Sequence, residues 1–283
     1  MSNGIAVSIV PGELRLLVAR TNGSMQPLHQ LVAELPEGAV RVGLRAPNLA
    51  EPETIFEALR GLVDEAGAGR ERGGMVSLLI PDASVRMALV PLEGAAPTHA
   101  EGESMARWAL RDLLPVEPDS ARIDWSVVQE ESTEMAAKWL LVIGADATVV
   151  EEYESVVEAV GWTPGRVVPF TLGLAVGSGV EADADPRMAR IVLSGVGGHV
   201  ACLVEAGGVP RLHRAWRVED PDLALELPNI QRYADQRLDV SIDEAVIAGP
   251  DGWRQRAALS CEALGWRVHV CSSWSAHSGA VQP

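Results

Sequence analysis

The chain has 283 residues, a formal net charge of -16 and 47% hydrophobic residues. This composition provides a hydrophobic core, and the negative charge argues against nucleic acid and against direct adhesion to anionic lipid. We expect no signal peptide, because the first residues lack a basic start and a cleavable small-residue site, and the sequence has no apolar run of the roughly 20 residues that a membrane helix needs. Its three cysteines lack the spacing of a metal site or a disulfide framework. We therefore expect a cytoplasmic protein without a metal ion.

The first predicted element is a β-hairpin over residues 4–20, in which apolar residues flank a turn at Pro11 and Gly12. A loop rich in proline and glycine follows it. The next apolar stripe has helical spacing and begins at Thr54, which forms a predicted capping box with Glu57. The opening of the chain therefore predicts an α/β domain.

A β-rich segment over residues 75–143 follows this helix. It begins with a buried strand, which is followed by a turn at Asp82. Turn formation explains an aspartate at this position without a catalytic role. Val85 and Met87 then belong to a half-buried strand of alternating pattern. A helix that ends before a proline comes next, and two further strands are expected to be antiparallel neighbours.

The most regular helix of the sequence starts at Thr148, with Glu151 as its predicted capping partner. The acidic segment 180–187 predicts a solvated linker, because a calcium loop would need more ligands at fixed spacing. Beyond it we expect a glycine-rich hairpin, a short helix with Pro228 in its first turn, a strand, a helix and a closing strand. The predicted divisions are a first lobe over 1–183, a second lobe over 186–272 and a flexible tail over 273–283.

Glycines crowd the second hairpin, "IVLSGVGGHVACLVEAGG", which starts at Ile191. A dinucleotide-binding Rossmann turn leads directly into a helix, whereas a β-prone run follows these glycines. Each predicted lobe opens with a hairpin and later carries a strand–helix–strand unit, as in lobes of the actin and sugar-kinase type. The glycines therefore belong either to a nucleotide-binding hairpin of that fold or to a simple tight turn.

Three segments, "LLIPDASVRMALVPL", "MARWALRDLLPVEPDSARIDWSVV" and "VVEEYESVVEAVGWTPGRVVPF", resemble successive parts of PilM-type proteins. These are actin-like cytoplasmic components of type IV pilus assembly, related to the cytoplasmic domain of the type II secretion protein GspL. The later "IVLSGVGGHVACLVEAGGVPRLHRAWR", "LPNIQRYADQR" and "EAVIAGPDGW" follow in the family's order. The resemblance spans nearly the whole chain and rests on this serial order rather than on one sharp motif.

This resemblance implies an α/β, actin-like (ribonuclease H-like) two-lobed fold with a β-rich subdomain inserted at about 75–143 and a reduced second lobe. In the better-conserved members it implies ATP in the cleft between the lobes. It also implies a partner, a bitopic inner-membrane protein of the pilus or secretion system. The N-terminal cytoplasmic segment of that partner docks on the lobe that carries the extra subdomain.

The nucleotide-binding motifs of the family are incomplete in this chain. In the first hairpin, Ala6 stands at the family's Asp, and Ser8 stands at the glycine that follows. In the second hairpin, Leu193 stands at the corresponding Asp, whereas Gly195 is retained. Alanine and leucine offer no oxygen ligand to Mg²⁺. The resemblance therefore implies that both metal-ordering carboxylates are missing.

Two further positions weaken the expected nucleotide site. His199 stands at the position of the family's Thr. A general base takes a proton from a nucleophile, and the sequence places none near His199. Pro250 replaces the second glycine of the adenosine turn, where it removes an N–H group. The relic nucleotide-binding residues are Ser8, Gly195, Gly197, Gly198 and Gly249. We expect no cofactor and no ATPase activity; the alternative is an active member in which ATP and Mg²⁺ control partner binding.

The β-rich segment also carries a cluster of tryptophans, which belong either to its core or to a groove for a partner. Our predicted partner-binding residues are Val85, Met87, Trp108 and Trp125. The sequence thus favours a non-catalytic scaffold on the cytoplasmic face of a type IV pilus or type II secretion platform. We expect it to lie at the inner membrane through its partner, without inserting into the bilayer.

Overall fold

The computed structural model describes residues 3–21, 25–68, 74–129, 138–178, 180, 185–217 and 223–271. The strands are β1 (Asn3–Val10), β2 (Glu13–Thr21), β3 (Met25–Glu34), β4 (Met75–Ile80), β5 (Arg86–Leu92), β6 (Ala121–Gln129), β7 (Lys138–Asp146), β8 (Thr163–Pro169), β9 (Met188–Val196), β10 (His199–Ala206), β11 (Val209–Arg217), β12 (Ser241–Ala248) and β13 (Arg267–Val270). The helices are α1 (Pro52–Glu65), α2 (His99–Leu110), α3 (Ala147–Ala159), α4 (Phe170–Gly177), α5 (Leu223–Tyr233) and α6 (Asp251–Ala263). None of the helices in these ranges is long and apolar enough to cross a membrane.

The first sheet has five strands in the order β3-β2-β1-β4-β8. Strands β1, β2 and β3 form an antiparallel meander, and β4 and β8 are added in parallel to β1. The strands in the middle of this sheet are nearly continuous apolar runs, because both of their faces are covered. Helices α1 and α3 pack on each other and on this sheet, and α4 packs on β4 and β8.

The second sheet repeats this plan in the order β11-β10-β9-β12-β13. Strands β9, β10 and β11 form the antiparallel meander, and β12 and β13 run parallel to β9. Helices α5 and α6 pack on each other, and their apolar side chains form one core with this sheet. The predicted use of a hairpin followed by strand–helix–strand in both halves of the chain is therefore confirmed.

A third, small sheet lies between β4 and α3 in the sequence and has the strand order β5-β7-β6. Helix α2 covers one face of this small sheet, with Leu110, Leu114, Leu140 and Val142 at the centre of the contact. In the second repeat, β12 is followed directly by α6, without any such insertion. The predicted β-rich subdomain is therefore an insertion into the first of the two repeats.

The chain forms two compact units that divide differently from the boundaries expected from the sequence. One unit contains the described parts of Met1–Ser84 and Asp146–Gly179, which hold the first sheet. The other contains the described parts of Val85–Ala145 and Val180–Ser272, which hold the small sheet and the second sheet. The inserted subdomain therefore groups with the second sheet in space, although it interrupts the first repeat in sequence. The predicted tail, 273–283, and residues 181–184 of the acidic linker lie outside the described residues.

Two predicted helix starts are wrong. Helix α1 begins at Pro52, two residues earlier than expected, so that Thr54 lies inside the first turn and makes no capping box with Glu57. Helix α3 is capped by Asp146, whose carboxylate accepts from the Thr148 backbone N–H at 3.0 Å. In each case the prediction places a threonine at the N-cap, whereas a proline at N1 or a stronger acceptor determines the observed start.

The predicted first-turn position of Pro228 is also wrong, because α5 begins at Leu223 and contains Pro228 in its interior. A proline removes one intrahelical hydrogen bond and usually ends a helix. Here Leu223, Leu227 and Ile230 are all buried in the core of the second sheet. Tertiary packing of this apolar stripe therefore overrides the local preference.

Candidate functional site

The glycine-rich turn between β9 and β10 consists of Gly197 and Gly198, whose φ angles are 57° and 75°. A two-residue turn of type I′ requires positive φ at both central positions, and glycine adopts it without steric cost. The turn between β10 and β11 consists of Gly207 and Gly208, with φ of 56° and 73°. Since the same pair of residues forms both turns, hairpin geometry alone accounts for the glycines at 197 and 198.

Gly195 and Gly249 lie together beside an aromatic ring of the same unit. A Cβ atom at Gly195 would lie 2.2 Å from two ring atoms of Trp253, and one at Gly249 would lie 2.8 Å from the same ring. Trp253 stands in the first turn of α6 and is 8% exposed. The indole of Trp253 therefore fills the space that these two glycines leave, and its packing requires both of them. No local sequence pattern marks this tryptophan as part of the site.

Ser8 is the predicted nucleotide-type residue of the first hairpin. It lies on β1 opposite Arg15 and is fully buried. Its Oγ has no hydrogen-bond partner among the described residues. A buried hydroxyl without a partner costs about 1–3 kcal/mol, so the position is unfavourable unless another group satisfies it. Packing within the first hairpin gives no reason for a buried hydroxyl group at this position.

The registers of the two hairpins identify equivalent positions. Ser8 lies two residues before Val10, the last residue of β1, and Ser194 lies two residues before Val196, the last residue of β9. Both serines are buried and both turns have two residues. In this register Ala6 is equivalent to Val192, not to Leu193. The two positions at which we expected missing carboxylates therefore do not correspond, whereas the two serines do.

The other polar residues considered from the sequence have local or structural partners. His199 Nδ1 lies 3.2 Å from the Gly197 carbonyl oxygen, at the turn itself. Asp82 is buried, and both of its carboxylate oxygens accept from the Thr171 backbone N–H at 3.2 Å. Asp82 therefore joins the end of β4 to the start of α4, a long-range role that the turn interpretation missed. Among the described residues, no three His, Cys, Asp or Glu side chains are grouped to hold a metal ion.

The four predicted partner-binding residues all lie in or next to the small sheet, but they have different environments. Val85 is 3% exposed and immediately precedes β5. Trp125 packs closely on α2, where a Cβ atom at Gly102 would lie 2.4 Å from its ring. Trp108 points away from this core on α2 and is 67% exposed. Val85 and Trp125 therefore have packing roles, whereas Trp108 is exposed and Met87 is half-buried.

Met87 belongs to the face of the small sheet opposite α2, which we call the second face. Side chains alternate between the faces of a strand, and Ala88, Val90 and Leu92 pack towards α2. The second face therefore consists of the cross-strand pairs Met87–Ile143, Leu89–Leu141 and Pro91–Trp139. All six side chains are apolar, and most of them are half-buried.

A cation lies at one end of the second face. The guanidinium of Arg211, on β11, stacks over the Trp139 ring at 4.1 Å from its centroid. Arg86, beside Met87, donates to the Val85 carbonyl oxygen at 2.8 Å. Partial burial lowers the pKa of Arg86, which nevertheless stays protonated at neutral pH because guanidinium is a very strong base. The apolar side chains of the second face thus lie between two arginines, Arg86 near Met87 and Arg211 over Trp139.

The structure is similar to several solved structures. It matches a chain of the PilM–PilN type IV pilus biogenesis complex with a TM-score of 0.73 and 16% identity, covering 94% of this chain and 87% of that one. It matches the cytoplasmic domain of EpsL, from the type II secretion system of Vibrio cholerae, with a TM-score of 0.52 and 13% identity, covering 88% and 83%. A Bacteroides thetaiotaomicron protein with an actin-like ATPase fold and unknown function gives 0.52 and 10%, covering 95% and 90%.

The fold is therefore actin-like, as the sequence predicted. No protein-family model matches the chain, and no curated protein matches it in sequence. The predicted resemblance to PilM-type proteins and to the type II secretion component is confirmed at the level of structure.

Proposed function

We propose that this protein is a non-catalytic, actin-fold scaffold of a type IV pilus or type II secretion platform. It binds the N-terminal cytoplasmic segment of a bitopic inner-membrane protein, and this partner holds it at the cytoplasmic side of the membrane. Two structures similar to it come from a pilus biogenesis complex and from an inner-membrane component of a secretion system. These likenesses support the cellular setting, and the small sheet supports the mode of binding.

The observation that carries the proposal is the second face of the small sheet. Six apolar side chains from β5 and β7 lie on the face opposite α2. Strand β11 contacts β5, Arg211 stacks on Trp139, and Leu141 is buried. The accessible part of this face is formed by Met87 and Leu89, which are half-buried, and by Pro91, which is exposed. An extended apolar peptide gains affinity by filling such a face and by pairing with a nearby sheet edge. Met87 lies on the β5 edge strand, where both contributions meet.

The second hairpin supports a role without nucleotide chemistry. Its paired glycines make a tight turn that recurs between β10 and β11, and Trp253 occupies the space beside Gly195 and Gly249. The glycines that resemble a nucleotide site thus have structural reasons in this chain.

The experiment is a calorimetric titration of the full chain with a synthetic peptide. Its sequence is the cytoplasmic N-terminal segment of a bitopic membrane protein, chosen by searching the genes that neighbour the gene for this chain. We expect binding, and we expect Met87→Glu to weaken it at least about tenfold, because a carboxylate would be buried against the apolar peptide. The matched control is Leu225→Glu, which places the same charge at a 67% exposed leucine on α5, outside the small sheet.

Equal losses in the two variants would contradict binding at the second face. Circular dichroism and thermal melting of each variant establish that the comparison is made between folded proteins. If the peptide does not bind the wild-type chain, the proposed partner class is wrong.

A further inference from the structure

Strand β5 is an edge strand of the small sheet. Among the described strands it pairs with β7 alone, in a regular antiparallel register from Arg86 to Leu92. Residues 88–90 point alternately to the two faces of the sheet and are all half-buried, whereas their partners on β7, residues 140–142, are all buried. Because both faces are affected alike, the accessibility of β5 arises at the open side of the strand.

Pro91 determines which backbone groups of β5 point to that open side. In an antiparallel pair of strands, residues whose N–H and C=O both point to the partner alternate with residues whose N–H and C=O both point away. Proline has no N–H, and Pro91 lies opposite Trp139 in an uninterrupted register, so Pro91 occupies a position that points away from β7. By the same alternation, the N–H and C=O groups of Met87 and Leu89 also point away from β7.

The stretch of β5 that can pair with another strand is short and bounded. Arg86 lies at one end and Pro91 at the other, and charged residues and prolines oppose uncontrolled pairing at sheet edges. Strand β11 contacts β5, and its residue Arg211 stacks over Trp139, opposite Pro91. Between these ends, residues 87–90 are all apolar and half-buried. The edge therefore suits one short apolar strand and opposes extended sheet pairing.

We propose that the partner peptide binds as an added strand on the open edge of β5, hydrogen-bonded to the backbone of Met87 and Leu89. This mode of binding rests on the proposed function, since it presupposes the partner peptide. Each peptide residue opposite Met87 or Leu89 directs its side chain to the second face, and pairing ends at Pro91, which cannot donate a hydrogen bond. The ligand is therefore an extended segment with apolar residues at alternate positions.

Amide hydrogen exchange of the full chain, followed by NMR, tests both the edge and the mode of binding. Without peptide, the amides of Ala88 and Val90, which point to β7, should be protected at least about tenfold more than those of Met87 and Leu89. Addition of the peptide from the calorimetric titration should slow exchange at Met87 and Leu89 at least about tenfold. Equal protection of all four amides in the free chain would overturn the open edge.

Peptides that each carry one N-methyl group on the backbone are matched ligands, because methylation removes one donor and obstructs one side of a strand. Affinity should fall at least about tenfold at two amides that are two residues apart. Methylation of the amide between them should change affinity by no more than about threefold, since that amide points away from β5. Equal losses at all three positions would contradict an added strand.

The results distinguish the mode of binding from the proposed function. A peptide that binds the wild-type chain without slowing exchange at Met87 and Leu89 would overturn the added strand and leave the partner class intact. A peptide that does not bind the wild-type chain would overturn the proposed function together with this mode of binding.

Discussion

The first and second sheets have the same topology, and yet corresponding positions in them have different chemistry. Both consist of an antiparallel three-strand meander and two parallel strands. The third strand is exposed in the first sheet, where it is β3, whereas the corresponding β11 is half-buried beside the small sheet. A repeated backbone plan therefore requires only a repeated apolar pattern, and the side chains at edges and turns can differ between the two sheets.

Cross-strand pairs show the same contrast. Gly4 and Ala19 form a pair in the first sheet. The equivalent pair of the second sheet is Arg190 and Glu205, a buried ion pair with an N–O distance of 3.1 Å. Likewise, fully buried Ile9 of the first sheet corresponds to Gly195 of the second, beside the Trp253 ring. Packing partners outside the sheet determine which residue each position accepts.

The largest expected loss of stability comes from breaking the ion pair of the second sheet. Arg190→Met leaves the buried Glu205 carboxylate without its partner, which should lower the free energy of unfolding by about 3–5 kcal/mol. Replacing both residues with methionine should recover most of this loss, because no buried charge remains. In the equivalent pair of the first sheet, Ala19→Gly should cost about 0.5–1 kcal/mol. Urea denaturation measures all three changes, and a small effect of Arg190→Met would contradict the assignment.

The next effect tests why the second sheet has glycine where the first has isoleucine. Gly195→Ala places a methyl group 2.2 Å from the Trp253 ring, and overpacking of this kind should cost about 1–3 kcal/mol. Gly198→Ala meets no atom within 4 Å and is unfavourable because of its positive φ, by about 1 kcal/mol. In the Gly195→Ala/Trp253→Leu double variant, the loss in free energy of unfolding should be smaller than the sum of the losses in the two single variants. Strict additivity would contradict direct contact.

The smallest expected effect is on the pH dependence of stability. It compares α3 and α6, the helices that precede the last strands of the first and second sheets. Burial raises the pKa of Tyr153 on α3, and it raises the pKa of the Cys261 thiol on α6 to about 12. Since the unfolded chain ionises first, each group makes the folded state lose stability as pH rises above its ordinary pKa. The loss is about 1.4 kcal/mol per pH unit for one group.

Between pH 8 and 10, the free energy of unfolding of Cys261→Ala should fall by about 1.4 kcal/mol less than that of the wild type. Tyr153→Phe should differ from the wild type mainly above pH 10, where a free tyrosine ionises. Urea denaturation at several pH values measures both curves. Parallel curves for all three proteins would show that these groups are not the source of alkaline sensitivity.

The repeated plan could be predicted from the sequence because it depends on apolar runs and turn residues. The hairpins, the buried strand after α1 and the inserted β-rich segment follow from such patterns. Strand β8 contains two prolines and a glycine, and α4 has only eight residues, so neither gives a clear periodic signal. The missed Asp82–Thr171 contact and the missed Trp253–Gly195 contact both join distant parts of the chain, and no local pattern records them.

The most direct test of a scaffold without nucleotide chemistry is a calorimetric titration of the partner peptide, made with and without MgATP on the same sample. We predict no measurable binding of MgATP and the same peptide affinity in both conditions, with the loss of affinity in Met87→Glu unchanged. A micromolar dissociation constant for MgATP, equivalent to about 8 kcal/mol, would contradict a scaffold without nucleotide chemistry. A change in peptide affinity on adding MgATP would contradict it equally, because binding at one site would then be coupled to the other.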